Sequence, residues 1–308
     1  MMDIRLQVFK AVAEKKSFSQ AAHDLFMTQS TVSQHIQTLE TQYGVKLFDR
    51  LHRRIALTPA GEKLYPYAAA IDRLYQETDN AMNEAIGKVG GRLHIGASMT
   101  IGEYLLPEIL VAFRQQFPAV DIIMEIFNTE QILALVVEGK VDVGFIEGPH
   151  DIPPQICALP CGGDELVVVA APVHPVASQE AVPVENLLDH CWVMREKTSG
   201  TRRAFESYLT GLGYDPATIN IVMELGSTQA VKKAVQAELG IAALSDLAVR
   251  DELTRGELTA VTPSEGAVIR NFSLLYHQEK FRPHTIEQFC AFIRCPSRSK
   301  TPASISGR

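Results

Sequence analysis

Little in this sequence points to a membrane, a metal or a catalytic site. No apolar run reaches the roughly 18 residues that a membrane-spanning helix needs, so none is expected. There is no G-x-S-x-G elbow, no Gly-rich phosphate loop of either common pattern and no H-E-x-x-H pair. Those absences argue against the commonest hydrolase, nucleotide-binding and zinc-protease chemistries, and no enzyme, cofactor or metal is expected. The five cysteines, Cys157, Cys161, Cys191, Cys290 and Cys295, are odd in number and never spaced C-x-x-C. Neither a zinc site nor a disulfide framework fits that pattern. Idle thiols are the plain reading, and a redox pair Cys157–Cys161 is the alternative. The nine histidines are scattered; His150, His174 and His190 lie near prolines or turns, where solvated side chains are common. The first twenty residues, MMDIRLQVFKAVAEKKSFSQ, are charged and amphipathic, without the apolar core of a secretory signal. A cytoplasmic location is the expectation.

What is present is an ordinary globular composition, 46% hydrophobic and 21% charged over 308 residues, enough for two or three domains. The net charge of −7 is unevenly spread: residues 1–65 hold nine Lys and Arg against six Asp and Glu, and the remaining 243 residues carry −10. A basic head on an acidic body fits a nucleic-acid-binding module joined to something else.

The head reads as helices. Ile4, Val8, Phe9 and Val12 share one face of a helix over 3–15. Ser17 or Ser19 can cap a short second helix, SQAAHDLF, that buries Ala21, Ala22 and Leu25. After a tight connection through Phe26 and Met27, Thr28 sits at the N-cap of a longer helix that Gly44 ends. Short helix, turn and longer helix form a helix-turn-helix pattern. VKLFDRLHRRIALT then reads as two short strands around a basic tip, a wing. In MTQSTVSQHIQTLE, residues 27–40, Val32, Ile36 and Leu39 face inward while hydroxyls and amides face out, with no acid in the first three turns. Such a surface suits the major groove, where amides and hydroxyls pair with base edges and carboxylates would be repelled by phosphate. Gln29, Ser30, Thr31, Ser33 and Gln34 are the candidate reading residues, and Arg50, Arg53 and Arg54 at the wing suit phosphate or minor-groove contacts. Thr58-Pro59 opens a long helix whose seam, Leu64, Ala68, Ile71, Tyr75, Thr78, Met82 and Ala85, wants a partner helix, with Pro66 inside it.

Residues 17–62, SFSQAAHDLFMTQSTVSQHIQTLETQYGVKLFDRLHRRIALTPAGE, resemble the N-terminal signature of LysR-type transcriptional regulators, although that family often has Pro where this chain has Ser30. The layout up to about residue 295 is similar as well. The resemblance implies an α/β protein with an N-terminal winged helix-turn-helix, a long dimerising linker helix, and a two-lobed α/β effector domain like a periplasmic binding protein. It also implies a homodimer or homotetramer on double-stranded promoter DNA, a small-molecule effector, and changed access for RNA polymerase. The expected division is 1–58 for the winged head, 59–90 for the linker helix and its GKVGG hinge, and 91–295 for the effector domain. Within the last, lobe 1 is expected at about 91–161 and 268–295 and lobe 2 at about 162–267; 296–308 reads as a disordered tail. The chief alternatives are a thiol-based redox regulator and a solute-binding protein.

Beyond the head, strands and helices alternate from RLHIGAS to TIEQFCAFIR, predicting a mainly parallel sheet. Polar small residues stand at four strand-to-helix junctions, where such folds bind ligands. They are Ser98, Met99 and Thr100; Asn128 and Thr129; Thr198, Ser199 and Thr201; and Ser227 and Thr228. Any one junction is read most simply as a helix cap, but four from two lobes suggest a shared pocket for a small anion. Arg202 or Arg203 would add charge, and Glu147 would oppose an anion unless paired. GASMTIGEYLLPEIL, FNTEQI, FIEGP and TSGTRRAFE resemble the branch of the family that controls sulfur assimilation and carbon fixation, which implies an oxyanion such as sulfite or sulfate.

Overall fold

In a computed structural model of the protein, residues 3–49, 55–85, 89–278 and 284–294 are described. The chain divides after Gly91 into two compact units.

In the first unit, local capping chemistry sets the helix boundaries. Helix α1 (Ile4–Lys15) starts where the Asp3 carboxylate accepts the Arg5 amide at 2.9 Å. Helix α2 (Phe18–Asp24) is capped by Ser17, which accepts the Gln20 amide. Helix α3 (Gln29–Tyr43) is capped by Thr28, which accepts the Thr31 amide at 3.2 Å, and it ends on Gly44 in the left-handed region. The turn between α2 and α3 closes through the Met27 amide on the Ala22 carbonyl at 2.9 Å. Val8, Phe9, Val12, Ala21, Ala22, Val32, Ile36 and Leu39 form the core of this unit. Ile4 and Leu25 depart from the expected pattern: Ile4 is 36% exposed and Leu25 only packs at the core's edge. Strands β1 (Phe48–Asp49) and β2 (Ala56–Leu57) pair antiparallel, which supplies the two arms of the wing. The tip, with Arg50, Arg53 and Arg54, lies outside the described residues.

Helix α4 (Pro59–Ala85) runs through Pro66 without a break. Its start is tied to the wing: Thr58 Oγ1 accepts the Gly61 amide and donates to the Lys46 carbonyl at 2.6 Å. The expected seam divides in use. Ala68 is fully buried in the head, with Leu64 packed beside it, whereas Tyr75 and Met82 are exposed, along with Tyr67 and Leu74.

The second unit is built on one mixed sheet. Strand β3 (Gly91–Ser98) leads through a π-turn (Ile101–Leu105) into α5 (Leu106–Gln116). Then come β4 (Val120–Phe127), α6 (Thr129–Glu138), β5 (Val143–Glu147) and the long β6 (Ile156–Ala170). After α7 (Val184–Leu188), the chain continues through β7 (Trp192–Arg195), α8 (Gly200–Gly211), β8 (Ile221–Leu225) and α9 (Thr228–Gln236). It closes with β9 (Ala242–Ser245), α10 (Asp246–Thr254), β10 (Thr259–Val261), β11 (Val268–His277) and α11 (His284–Arg294).

The strand order is β10-β6-β11-β5-β3-β4, with β9 also on β6, and β7 pairs with β8 separately. The mainly parallel sheet predicted from the sequence is therefore corrected. β3–β5 and β7–β8 are parallel, but β6 and β11 run antiparallel to each other, and β5, β9 and β10 pair antiparallel with them. The reason is that β6 and β11 are shared. Residues 156–160 of β6 and 273–277 of β11 pair beside β5, whereas 166–169 of β6 carry β9. The two strands thus join both lobes, and the β11 register shifts between Asn271 and Ser273 at the passage. Gly163 allows that passage, because a Cβ there would lie 2.5 Å from the Arg270 carbonyl oxygen.

Glu40 is the only acid of α3, and it is turned inward. It accepts from Lys46 Nζ at 2.6 Å and from the buried Leu47 amide at 2.9 Å, fixing the wing to α3. Burial pushes its pKa up, but Lys46 and the Leu47 amide outweigh this and hold it below the ordinary 4.5. Its stabilising contribution is therefore present above that value and lost as pH falls through the depressed one. Glu40→Ala leaves the Leu47 amide without an acceptor and is expected to destabilise the head by about 1–3 kcal/mol. Urea denaturation followed by circular dichroism checks this, with the difference from wild type shrinking as the pH is taken below the carboxylate range.

Candidate functional site

The outer surface of α3 has the chemistry expected of it. Gln29, Ser30 and Gln34 are exposed, and Thr31 and Ser33 are half-buried. Thr28 Oγ1 lies 2.8 Å from the hydroxyls of both Ser30 and Thr31, and Gln29 Oε1 accepts from Ser19 at 3.2 Å. These contacts hold short side chains close to the helix start, where the amides carry partial positive charge. With Glu40 turned inward, no carboxylate stands on that surface.

In the second unit, polar groups gather around a buried arginine. Arg270 lies on β11, fully buried. Its Nε reaches Asp164 Oδ1 at 2.7 Å and its Nη2 reaches Asp164 Oδ2; its Nη1 donates to Thr201 Oγ1 at 3.0 Å and lies 3.3 Å from Glu147 Oε1. Burial disfavours its charge, yet Glu147 and Asp164 raise its pKa above the usual value. Burial, followed by the charge of Asp164, pushes the nearby Asp246 carboxyl upward. The Glu147 carboxylate is thus paired, and it also accepts the hydroxyls of Ser98 and, at 3.3 Å, Thr100. Sequence reading missed Arg270. The signal was there: Val268, Arg270 and Phe272 alternate inward along β11, so the arginine occupies a core position.

Three of the four junctions meet here. Asn128 Nδ2 donates to Thr198 Oγ1 at 3.1 Å, joining the starts of α6 and α8. Gly200 is pressed so close that a Cβ would lie 2.4 Å from the Glu147 carbonyl oxygen and 2.7 Å from Thr129 Oγ1. Thr129 and Ser199 are 1% and 2% exposed, and their hydroxyls have no hydrogen-bond partner. Asn128 completes a capping box on α6, whereas Ser199 makes no side-chain cap on α8. Buried hydroxyls are normally satisfied, and these two stand at neighbouring helix starts, Thr129 opening α6 and Ser199 preceding α8. Thr228 stands apart, accepting from Arg195 at 3.0 Å, and Met99 is half-buried beside Ser98 and Thr100.

Both further candidate cations are engaged. Arg202 is buried and bound to Glu206 and Glu224, both at 2.7 Å, while Arg203 reaches Glu130 at 3.4 Å. Cys157 and Cys161 are four residues apart on β6, roughly 13 Å along a strand, too far for a disulfide. Burial pushes the Cys161 thiol up to about 12, away from the reactive thiolate. His150 is half-buried with its Nε2 unpartnered, and burial lowers its pKa. His174 and His190 are half-buried as well and meet edge to face at 4.9 Å, so none of the three is the solvated side chain expected.

Residues 4–62 match the family described as "Bacterial regulatory helix-turn-helix protein, lysR family", and residues 87–295 match "LysR substrate binding domain". The chain belongs to the LysR family. It is a DNA-binding transcriptional regulator with a metabolite-binding domain. A "Probable RuBisCO transcriptional regulator" of Trichormus variabilis is 36% identical over 288 residues, covering 92% of this LysR-type chain and 85% of that protein. The Synechocystis CcmR regulatory domain in complex with 2-PG is similar at a TM-score of 0.62 and 27% identity, over 68% of this chain and 98% of that one. An H2O2-bound OxyR mutant of Corynebacterium glutamicum is similar at a TM-score of 0.64 and 27% identity, over 94% of this chain and 90% of that one. The RuBisCO-regulator relative falls on the carbon-fixation side of the branch resemblance.

Removing Arg270 would leave two buried carboxylates, Glu147 and Asp164, without their cation. Arg270→Ala is expected to cost about 3–5 kcal/mol in the second unit. Denaturation followed by the fluorescence of the single Trp, the buried Trp192, reads this directly.

Proposed function

We propose that this regulator reads its operator with Gln29, Ser30, Thr31, Ser33 and Gln34 of α3, and responds to a small anion held where α6 and α8 begin. The observation that carries the effector reading is the pair of buried, unpartnered hydroxyls, Thr129 at the start of α6 and Ser199 at the uncapped start of α8. Ser98, Thr100, Asn128, Thr198 and Thr201 complete the site through their contacts with Glu147, Arg270 and one another. Arg50, Arg53 and Arg54 of the wing contact phosphate. The relative bound to 2-PG supports an anionic metabolite as the class of effector.

The division into a head (1–58), a linker helix with hinge (59–90) and a two-lobed effector domain (91–295) belongs to the same reading. The open apolar stretch of α4, Tyr67, Leu74, Tyr75 and Met82, is the dimerisation surface from which a homotetramer is assembled. Ligand binding favours one arrangement of lobes and subunits over another, and so changes DNA bending and the access of RNA polymerase. The protein acts in the cytoplasm and turns nothing over.

Two substitutions separate the two roles. Gln34→Ala is expected to weaken operator binding by about 1–3 kcal/mol with little change on random DNA; equal losses on both, measured by fluorescence anisotropy, would contradict a base-reading role. Ser199→Ala is expected to abolish the footprint change caused by the effector while operator affinity persists. A normal response in that variant would place the pocket elsewhere.

A further inference from the structure

Resting on the effector site proposed above, the direction of its hydroxyl protons narrows which anion it takes. A serine or threonine hydroxyl has one proton to give, and an ionised carboxylate has none. Ser98 and Thr100 both direct that proton to Glu147. Glu147 faces the Arg270 guanidinium at 3.3 Å and accepts both hydroxyls, so it serves as an acceptor within the wall. Away from Glu147, Ser98 and Thr100 therefore present lone pairs only.

The α8 side of the same cluster has the opposite polarity. Thr201 Oγ1 already accepts from Arg270, which leaves its own proton free. Thr129 Oγ1 and Ser199 Oγ have no partner and can each turn a proton toward a guest. The first amides of α8 lack a side-chain cap and add donors and partial positive charge. One side donates and the other accepts.

We propose that the site selects a small anion carrying its own O–H donor over one that has none. The anionic oxygens meet Thr129, Ser199, Thr201 and the α8 amides, while the O–H meets the lone pairs of Ser98 and Thr100. Hydrogen phosphate and hydroxycarboxylates satisfy both sides. Sulfate at neutral pH sets oxygen lone pairs against those of Ser98 and Thr100, with a carboxylate behind them. Sites built around a hydrogen bond reject analogues that lack it, because buried groups are left unpaired.

The test is calorimetric titration of the full chain at neutral pH and matched ionic strength with two pairs of probes, hydrogen phosphate against sulfate and glycolate against acetate. Within each pair the members differ chiefly by the O–H. The O–H-bearing member is expected to bind more than about tenfold more tightly, and Ser199→Ala is expected to weaken it. Glu147→Gln supplies an amide donor that lets a hydroxyl turn its proton outward, and is expected to bring sulfate to within about threefold of hydrogen phosphate. Ser98→Ala leaves every charge in place and is expected to reduce the same preference, which serves should the Gln variant fold poorly. Equal or tighter binding of sulfate and acetate, still weakened by Ser199→Ala, would overturn the selectivity and leave the site standing. A preference untouched by both Glu147→Gln and Ser98→Ala would also overturn it. No binding of any probe, or binding indifferent to Ser199→Ala, would remove the site and the selectivity together.

Discussion

A carboxylate close to an anionic partner must be turned away and paired, and both surfaces proposed to bind anions in this protein obey that constraint. On α3 the only acid, Glu40, is buried against Lys46 and the Leu47 amide. In the proposed effector site Glu147 is buried against Arg270, Ser98 and Thr100. Each acid does structural work from behind, one fixing the wing and the other orienting hydroxyls. In both places neutral hydrogen-bonding groups gather at a helix start, exposed on α3 and buried in the second unit, where the partial positive charge of the amides favours phosphate or a small anion.

Arg270 gives the second unit its mechanical sense. It sits on β11, one of the two strands shared between the lobes, and contacts Glu147 at the end of β5, Asp164 on β6 and Thr201 on α8. A guest at the proposed site that competes for Thr201 would take a partner of this guanidinium directly, and one that draws on Ser98 or Thr100 would act on Glu147, its ion-pair partner. Asn128–Thr198, Glu130–Arg203 and the Gln229 bond to the Tyr104 hydroxyl at 2.8 Å link the starts of helices across the same region. In the proposed reading, these direct hydrogen bonds are what would couple ligand binding to lobe arrangement, as a population shift requires.

The head was legible in the sequence because its determinants are local. Thr28 and Gly44 mark the ends of α3 by side-chain and backbone chemistry within a few residues, and Val32, Ile36 and Leu39 bury as their spacing dictates. The second unit was legible in its elements but less so in its pairing. β6 spans Ile156–Ala170, but Pro160, Gly162 and Gly163 interrupt the strand pattern of its first half. Antiparallel pairing along both halves of β6, with β11 and, from Leu166 onward, with β9 and β10, turns a parallel expectation into a mixed sheet. α10 escaped because Asp246, Arg250, Asp251 and Glu252 obscure its apolar spacing. The junction residues were found as a group, but Thr228 turned out to serve Arg195, and Arg270, the centre of the cluster, comes from a strand far away in sequence.

The central claim is that a carboxylate-free face of α3 lies against duplex DNA. Ser30→Asp tests it cleanly, because an acid in the first turn favours the helix itself while placing negative charge where phosphate should approach. Gel retardation of promoter fragments from the gene's own neighbourhood at low ionic strength, read beside thermal melting, is the measurement. The account predicts retardation by the wild-type chain and its loss in Ser30→Asp with the melting temperature kept or raised. No retardation by the wild type, or undiminished retardation by the variant, would contradict it.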